Sequence, residues 1–364
     1  MRNFDWSEIL REELGELRAY SPSPGSYKLR LDANEAPPLM SAEMRKALQE
    51  ETSRVLYEKY PDASQTALRK AIAKHHGVKS NQVIVGVGSD EIISLLLTAA
   101  TRLKSKAPAP TLVTTTPTFV MYRLSARVRG QRVMEVPLDK EWDIDWEKMR
   151  RAIEIAAPNV VFIASPNNPT GTMASADRLA SLIEASPQCL FVIDEAYVDY
   201  ASRDQSALLS KYENVALLRT LSKVGFAALR VGWLVGSEAL VSELHKVRLP
   251  YNLPTLSQVL ATVVLEQFAA ELEATRNYVR GERARLGEAL NQLSGVTVAA
   301  GQEANFLWVE LRRPSVDVFS DLAKAGVLVR SFHGRGGRLE RFLRITVGTT
   351  EQNDELLAAL SACA

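Results

Sequence analysis

The stretch QVIVGVGSDEIISLLLTAAT, running from Gln82 to Thr101, is a short apolar run, a turn with an N-cap at Gly88-Ser-Asp90, and a helical pattern that continues from Ile92. The same order of strand and helix recurs at Thr111 to Thr115, Arg132 to Val136, Asn159 to Ala164, Leu190 to Ile193, Val215 to Leu218 and Val231 to Val235. Uninterrupted apolar strands separated by helices need cover on both faces. The pattern therefore predicts an α/β fold with a mostly parallel sheet.

On the N-terminal side, Trp6 to Leu17 has the apolar spacing of a short amphipathic helix, followed by Ser21-Pro-Ser-Pro-Gly25 and an extended Tyr27 to Leu31. A helical pattern starts at Ser41, breaks at Tyr60-Pro61, resumes through Leu68 and Ile72, and stops at Gly77. On the C-terminal side, a long helical region, 237–293 with a break near Pro250 to Pro254, leads to Phe306 to Leu311, a helix at Asp317 to Ala325, and strands at Val327 to Arg330 and Leu343 to Val347. The expected organisation is an arm (1–40), a large domain (41–245) and a smaller α+β domain (246–364), since 364 residues exceed what one core usually supports. There is no internal repeat.

With 44 basic and 43 acidic residues, the charges nearly cancel, and no long run concentrates either sign. Nucleic acid and membrane surfaces are not the expected partners. Cys189 and Cys363 are too few for a disulfide framework, the N-terminal Met1-Arg-Asn-Phe-Asp-Trp-Ser-Glu8 lacks a signal peptide's apolar core, and no apolar stretch approaches the roughly 20 residues that span a bilayer. The expectation is a soluble, cytoplasmic enzyme. His75, His76, His245 and His333 lack metal-ligand spacing and read as exposed helix or loop positions, so no metal is expected.

Three segments follow the opening turn in order: Asn167-Asn-Pro-Thr-Gly171, Asp194-Glu-Ala-Tyr197 and Arg219-Thr-Leu-Ser-Lys223. A lysine amine can condense with an aldehyde, an aspartate can keep a pyridine nitrogen protonated, an asparagine can bond a phenolic oxygen, and an arginine can neutralise a phosphate. Lys223 alone would read as a solvated surface residue; the ordered set describes a pyridoxal phosphate site. In that site Asp194 closes an apolar strand, where a carboxylate needs a cation such as a pyridinium N–H. Asn168 sits at a strand end, where ligand crevices of parallel sheets form, and Tyr197 can share the phenolic oxygen with it. Arg230 and Ser222 can hold the phosphate, as can the amides of Ser89 and Asp90 at a helix start. Phe119 can stack on the ring, though the same residue reads equally well as a core aromatic. Lys223, Asp194 and Tyr197 are the candidate catalytic residues, with Lys223 moving a proton between the substrate α-carbon and the cofactor.

On these residues the chain resembles the fold type I pyridoxal phosphate aminotransferases and, within them, the histidinol-phosphate aminotransferase family. Further matching segments are Leu31-Asp-Ala-Asn-Glu35, Tyr60-Pro-Asp62, Val87-Gly-Ser-Asp-Glu91, Pro117-Thr-Phe119, Ala304-Asn-Phe306 and Leu343-Arg-Ile-Thr-Val-Gly348. The resemblance implies transfer of an amino group between histidinol phosphate and 2-oxoglutarate in histidine biosynthesis. It also implies a homodimer with shared active sites, in which Tyr60 reaches the partner's cofactor phosphate. Tyr20, Asn34, Arg330 and Arg344 match the family's substrate-side residues. Two guanidinium forks suit a site that must take both a phosphate and a carboxylate.

Some positions depart from the family pattern. Arg230 follows Lys223 by seven residues rather than eight, Glu35-Ala-Pro-Pro38 lacks a common asparagine, and Ser331-Phe-His-Gly-Arg-Gly-Gly-Arg338 reads as a mobile loop beside the substrate pocket. Other readings keep the cofactor: an aromatic amino acid aminotransferase, a lyase resembling threonine-phosphate decarboxylase, or a cofactor-binding regulator. The regulator would require an appended basic domain, and the arm is too short to be one.

Overall fold

Each apolar run of the sequence becomes a strand whose alternate residues enter different cores. The computed structural model describes residues 5–16, 25–104 and 109–363. Its strands are β1 (Leu29–Arg30), β2 (Val83–Val87), β3 (Thr111–Thr116), β4 (Arg132–Pro137), β5 (Val160–Ala164), β6 (Leu190–Asp194), β7 (Val215–Thr220), β8 (Val231–Val235), β9 (Val296–Val298), β10 (Phe306–Leu311), β11 (Val327–Leu328), β12 (Arg330–Ser331) and β13 (Phe342–Thr346). Seven of them form one sheet in the order β2-β8-β7-β6-β5-β3-β4. Neighbours pair in parallel except β8, which runs antiparallel to both β2 and β7. That reversed strand is what an apolar run cannot announce, since its composition is the same in either direction.

The helices are α1 (Ala42–Ser53), α2 (Thr66–His76), α3 (Gly88–Ala99), α4 (Met121–Arg127), α5 (Trp146–Ala156), α6 (Ala176–Ala185), α7 (Ser206–Lys211), α8 (Glu238–Val247), α9 (Thr255–Gln267), α10 (Ala269–Asn291), α11 (Ser315–Lys324) and α12 (Thr350–Ser361). Val160 and Phe162 of β5 face one core with α3, α4 and α8, while Val161 and Ile163 face the other with α5 and α6. Both faces are covered, as continuous apolar strands require. Val85 and Trp233 join Met44, Ile72 and Val264 in a further core under α1, α2 and α9.

A four-stranded antiparallel sheet, β12-β13-β10-β9, carries the C-terminal part, and β1 pairs in parallel with β11 beside it. Leu29 and Leu31 thereby share a core with Leu307, Ile345 and Leu356.

Several local expectations are corrected. The amphipathic pattern after Trp6 forms two 3-10 turns, Trp6–Glu8 and Glu12–Glu16, rather than one helix. Helix α3 starts at Gly88 itself and has no side-chain N-cap; Gly88 takes φ 73°, and the Glu91 carboxylate accepts from the Val87 amide at 2.6 Å. His75 and His333 are exposed, but His76 and His245 are half-buried, and His76 Nε2 accepts the Trp233 indole N–H at 2.9 Å. In the loop from Ser331, the Arg338 guanidinium lies 3.3 Å from the centre of the Trp142 ring and donates to the Lys140 carbonyl at 3.1 Å. No helix among the described residues is long and apolar enough to cross a membrane.

Candidate active site

The C-terminal ends of β3, β5, β6 and β7 open on one edge of the large sheet, and Phe119, Asn168, Asp194 and Lys223 follow those ends in sequence or lie at them. Because β8 is reversed, its beginning lies at the same edge. Val87 pairs with Val231, and the Gly88 amide donates to the Arg230 carbonyl at 2.7 Å. The residues chosen from sequence on either side of that turn thus come together.

Asp194 forms the sealed end. It is 4% exposed, one carboxylate oxygen accepts the Tyr122 phenol at 2.5 Å, and the other accepts the Ala196 amide at 2.9 Å. Burial pushes this carboxyl up to about 6; the two hydrogen bonds and the Lys223 charge offset that only in part. An acid desolvated in this way gains most from a cationic N–H. Tyr122, wholly buried and stacked 4.8 Å from Phe162, was not singled out from sequence, where one tyrosine in a helical pattern carries no signal. Phe119 meets Tyr122 edge to face at 5.6 Å and packs against the core beside it.

The segment Ser222–Phe226 is a short π-helical turn that presents Lys223, half-buried, with Nζ 5.8 Å from the centre of the Tyr197 ring. The Tyr197 hydroxyl accepts from Asn34 Nδ2 at 2.9 Å. Asn34 has φ 56° and is fully buried; its backbone amide donates to Thr346 Oγ1 at 3.0 Å, and its carbonyl accepts from Asn305 Nδ2 at 3.0 Å. Asn305 and Thr346 are additions to the sequence-chosen set.

At the open end, the Arg230 guanidinium reaches Asp90 at 3.3 Å and Ser222 Oγ at 3.4 Å, and Thr220 Oγ1 donates to Ser222 Oγ at 2.9 Å. Arg230 takes φ 52°, which closes the shortened turn after Lys223. A side chain at Gly88 would place Cβ 2.6 Å from the guanidinium, and one at Gly232 would place it 2.2 Å from the Ser89 amide nitrogen. Those two glycines keep a cradle of amide and guanidinium N–H groups clear, and its donor set fits a phosphate.

The tandem asparagines divide their work. Asn167 is locked inside, accepting from Thr118 and donating to the Pro117 carbonyl and Thr170. Asn168 Oδ1 accepts from Arg344 at 2.6 Å, which leaves its amide N–H groups without a protein partner among the described residues, free for a ligand oxygen. Arg344 is 8% exposed, also donates to the Asp32 carbonyl at 2.5 Å, and lies opposite half-buried Arg330 in the register of β12 and β13. Two arginines thus sit opposite each other on adjacent strands, and one of them holds Asn168. Tyr60 stays apart, 82% exposed and stacked on Tyr251 at 4.8 Å; Tyr20 lies outside the described residues. No group of three or more potential metal ligands occurs among the described residues.

Residues 26–360 match the model of the aminotransferase class I and II family. Histidinol-phosphate aminotransferase 2 of Nitrosococcus oceani is 38% identical, covering 98% of this chain and 97% of its own length. The histidinol-phosphate aminotransferase of Aquifex aeolicus is 37% identical, covering 97% of each. In fold, the chain is similar to the Sinorhizobium meliloti histidinol-phosphate aminotransferase solved in complex with pyridoxal-5'-phosphate, at TM-score 0.84 and 22% identity over 98% of this chain and 97% of that one.

Proposed function

This chain belongs to the class I and II aminotransferases, and from that membership we propose that it moves the amino group between histidinol phosphate and 2-oxoglutarate in histidine biosynthesis, using pyridoxal 5'-phosphate. The observation that carries the cofactor assignment is the sealed carboxylate of Asp194 across the site from Lys223 and the amide and guanidinium cradle at Gly88, Ser222 and Arg230. When bound, that cofactor supplies an electron sink that lets a bond at the substrate α-carbon break.

The protein's own groups supply the rest. Asp194 would keep the cofactor's ring nitrogen protonated. Asn168, its amide oriented by Arg344, and Tyr197, held by Asn34, would bond the phenolic oxygen. Lys223, with its amine free, would carry the proton away from the substrate α-carbon and deliver it again. Arg344 and Arg330 offer forks that accept either a phosphate or a carboxylate.

The proposed assembly is a homodimer with shared sites. The large exposed apolar side chains Leu56, Tyr57, Tyr60, Leu249 and Tyr251 support it, and Tyr60 is assigned to the partner's cofactor phosphate. The proposed location is the cytoplasm. The division into 1–40, 41–245 and 246–364 is kept as a proposal; the packing of α9 on α1 and α2 favours a later boundary, inside α10.

The test is single-turnover spectroscopy of the reconstituted protein with histidinol phosphate, phenylalanine, tyrosine and threonine phosphate as amino donors. Fast conversion of the cofactor by histidinol phosphate alone is the expected result. Faster conversion by an aromatic amino acid would keep the mechanism and replace the substrate; carbon dioxide release from threonine phosphate would replace the reaction.

A further inference from the structure

Tyr200 lies three residues beyond Tyr197, in the 3-10 turn Val198–Tyr200, and is wholly buried against Val279 of α10 and Val347. Its hydroxyl donates to the backbone carbonyl of Lys223 at 2.6 Å. An ordinary helix secures each carbonyl with the amide four residues on. Here the chain leaves helical geometry just after the lysine, at Val224 (φ −106°, ψ 24°) and Gly225 (φ 106°, ψ 0°), and a side chain from a different segment takes up that carbonyl. Burial holds the Tyr200 phenol well above the ordinary tyrosine range, so it remains a donor at any working pH.

The turn that carries Tyr200 is itself clamped by one face of α10. Arg276 Nε donates to the Asp199 carboxylate at 2.7 Å, Arg280 donates to the Asp199 and Ala201 carbonyls at 2.9 and 3.2 Å, and Arg283 donates to the Tyr200 and Ala304 carbonyls at 3.0 and 2.9 Å. One seven-residue segment, 194–200, therefore delivers three groups: Asp194 to the sealed end, Tyr197 beside the lysine amine, and Tyr200 to the lysine backbone.

We propose that Tyr200 is a positioning residue for Lys223, its hydroxyl fixing the peptide plane from which the lysine side chain departs. Tyr200 is wholly buried and its hydroxyl is taken up by the Lys223 carbonyl, so it acts through Lys223. Its effect is leverage: Nζ stands at the end of a four-carbon stem, so a small rotation of the peptide plane displaces the amine from the line along which the proton moves. The proposal rests on the reading of Lys223 as the lysine that carries the cofactor.

Tyr200→Phe tests it, because the ring and its packing stay while the hydroxyl goes. In the reconstituted protein, the pH midpoint of the cofactor's absorbance change should shift by about half a unit or more, reporting an altered setting of the lysine nitrogen. The single-turnover rate should fall about tenfold with apparent substrate affinity unchanged, as misplacement of a reacting group predicts. A midpoint and rate equal to the parent's would overturn the proposal, including in a variant whose cofactor-free form melts earlier, since that would mark a purely structural role. Should Tyr200→Phe not fold, Val279→Ala loosens the seat of the ring while keeping the hydroxyl. It should move midpoint and rate in the same direction by less, and unchanged values there would equally overturn the idea. A parent protein that shows no lysine-dependent cofactor band would instead fail the reading of the site itself.

Discussion

The two ends of the candidate site are built on opposite physical terms. Asp194 works from burial: 4% exposed, bonded to Tyr122 and the Ala196 amide, its charge is costly until a cationic partner arrives. Arg230 works in the open, paired with Asp90 where both side chains are nearly half exposed, an arrangement worth little as a salt bridge and easily exchanged for a ligand. On the proposed reading, the difference teaches that one end tunes the chemistry and the other holds the cofactor. Desolvation amplifies a charge at the first, and solvent keeps binding adjustable at the second.

The largest effect should come from the sealed end. Asp194→Asn keeps an acceptor for Tyr122 but loses the charge, and turnover should fall about a hundredfold or more while cofactor remains bound. Stopped-flow measurement of the half-reaction checks this, and near-normal rates would break the contrast between the ends.

The same burial predicts a pH signature in the cofactor-free protein. The folded carboxyl titrates at about 6 against an ordinary 3.8, so the folded chain keeps a proton that the unfolded chain has already released. The resulting stability is full below the lower value and is lost as pH rises to the higher one. That difference corresponds to about 3 kcal/mol. Denaturant melts of the cofactor-free parent should weaken across that window, and those of Asp194→Asn should not; parallel curves would show that Asp194 is not strained by burial.

Arg344 stands between the two regimes, buried yet bonded to Asn168, and is the proposed substrate-side arginine. Arg344→Ala removes charge-assisted bonds to Asn168 and to the Asp32 carbonyl, and KM for both anionic substrates should rise about tenfold or more. Unchanged KM would remove it from the anion site. The smallest effect belongs to the open end: Arg230→Lys keeps the charge without the fork, so cofactor Kd should rise a few-fold, and added salt should weaken parent and variant alike. A salt-independent Kd would mean that this end is not governed by charge.

The sequence was most legible where one residue type has one job. The apolar strands, the stop at Gly77 with φ 64°, and the order of Asn168, Asp194 and Lys223 all follow from local chemistry. What stayed hidden depends on long-range placement. Tyr122 acquires its role only because α4, lying against β3 and β4, lets its phenol reach Asp194 at the end of β6, and the direction of β8, which delivers Arg230, is invisible in an apolar run. Likewise Asn34 meets Tyr197 across 163 residues of chain. The Gly88-Ser-Asp90 turn misled in detail, since the glycine's backbone freedom starts the helix and Asp90 serves the arginine instead.

The most direct test of the account is to reconstitute the protein with pyridoxal 5'-phosphate, reduce it with borohydride and map the modified peptide by mass spectrometry. A single adduct on the peptide that carries Lys223, absent in Lys223→Ala, is the predicted result. An adduct on another lysine, or none, would contradict the site built around Lys223 and Asp194.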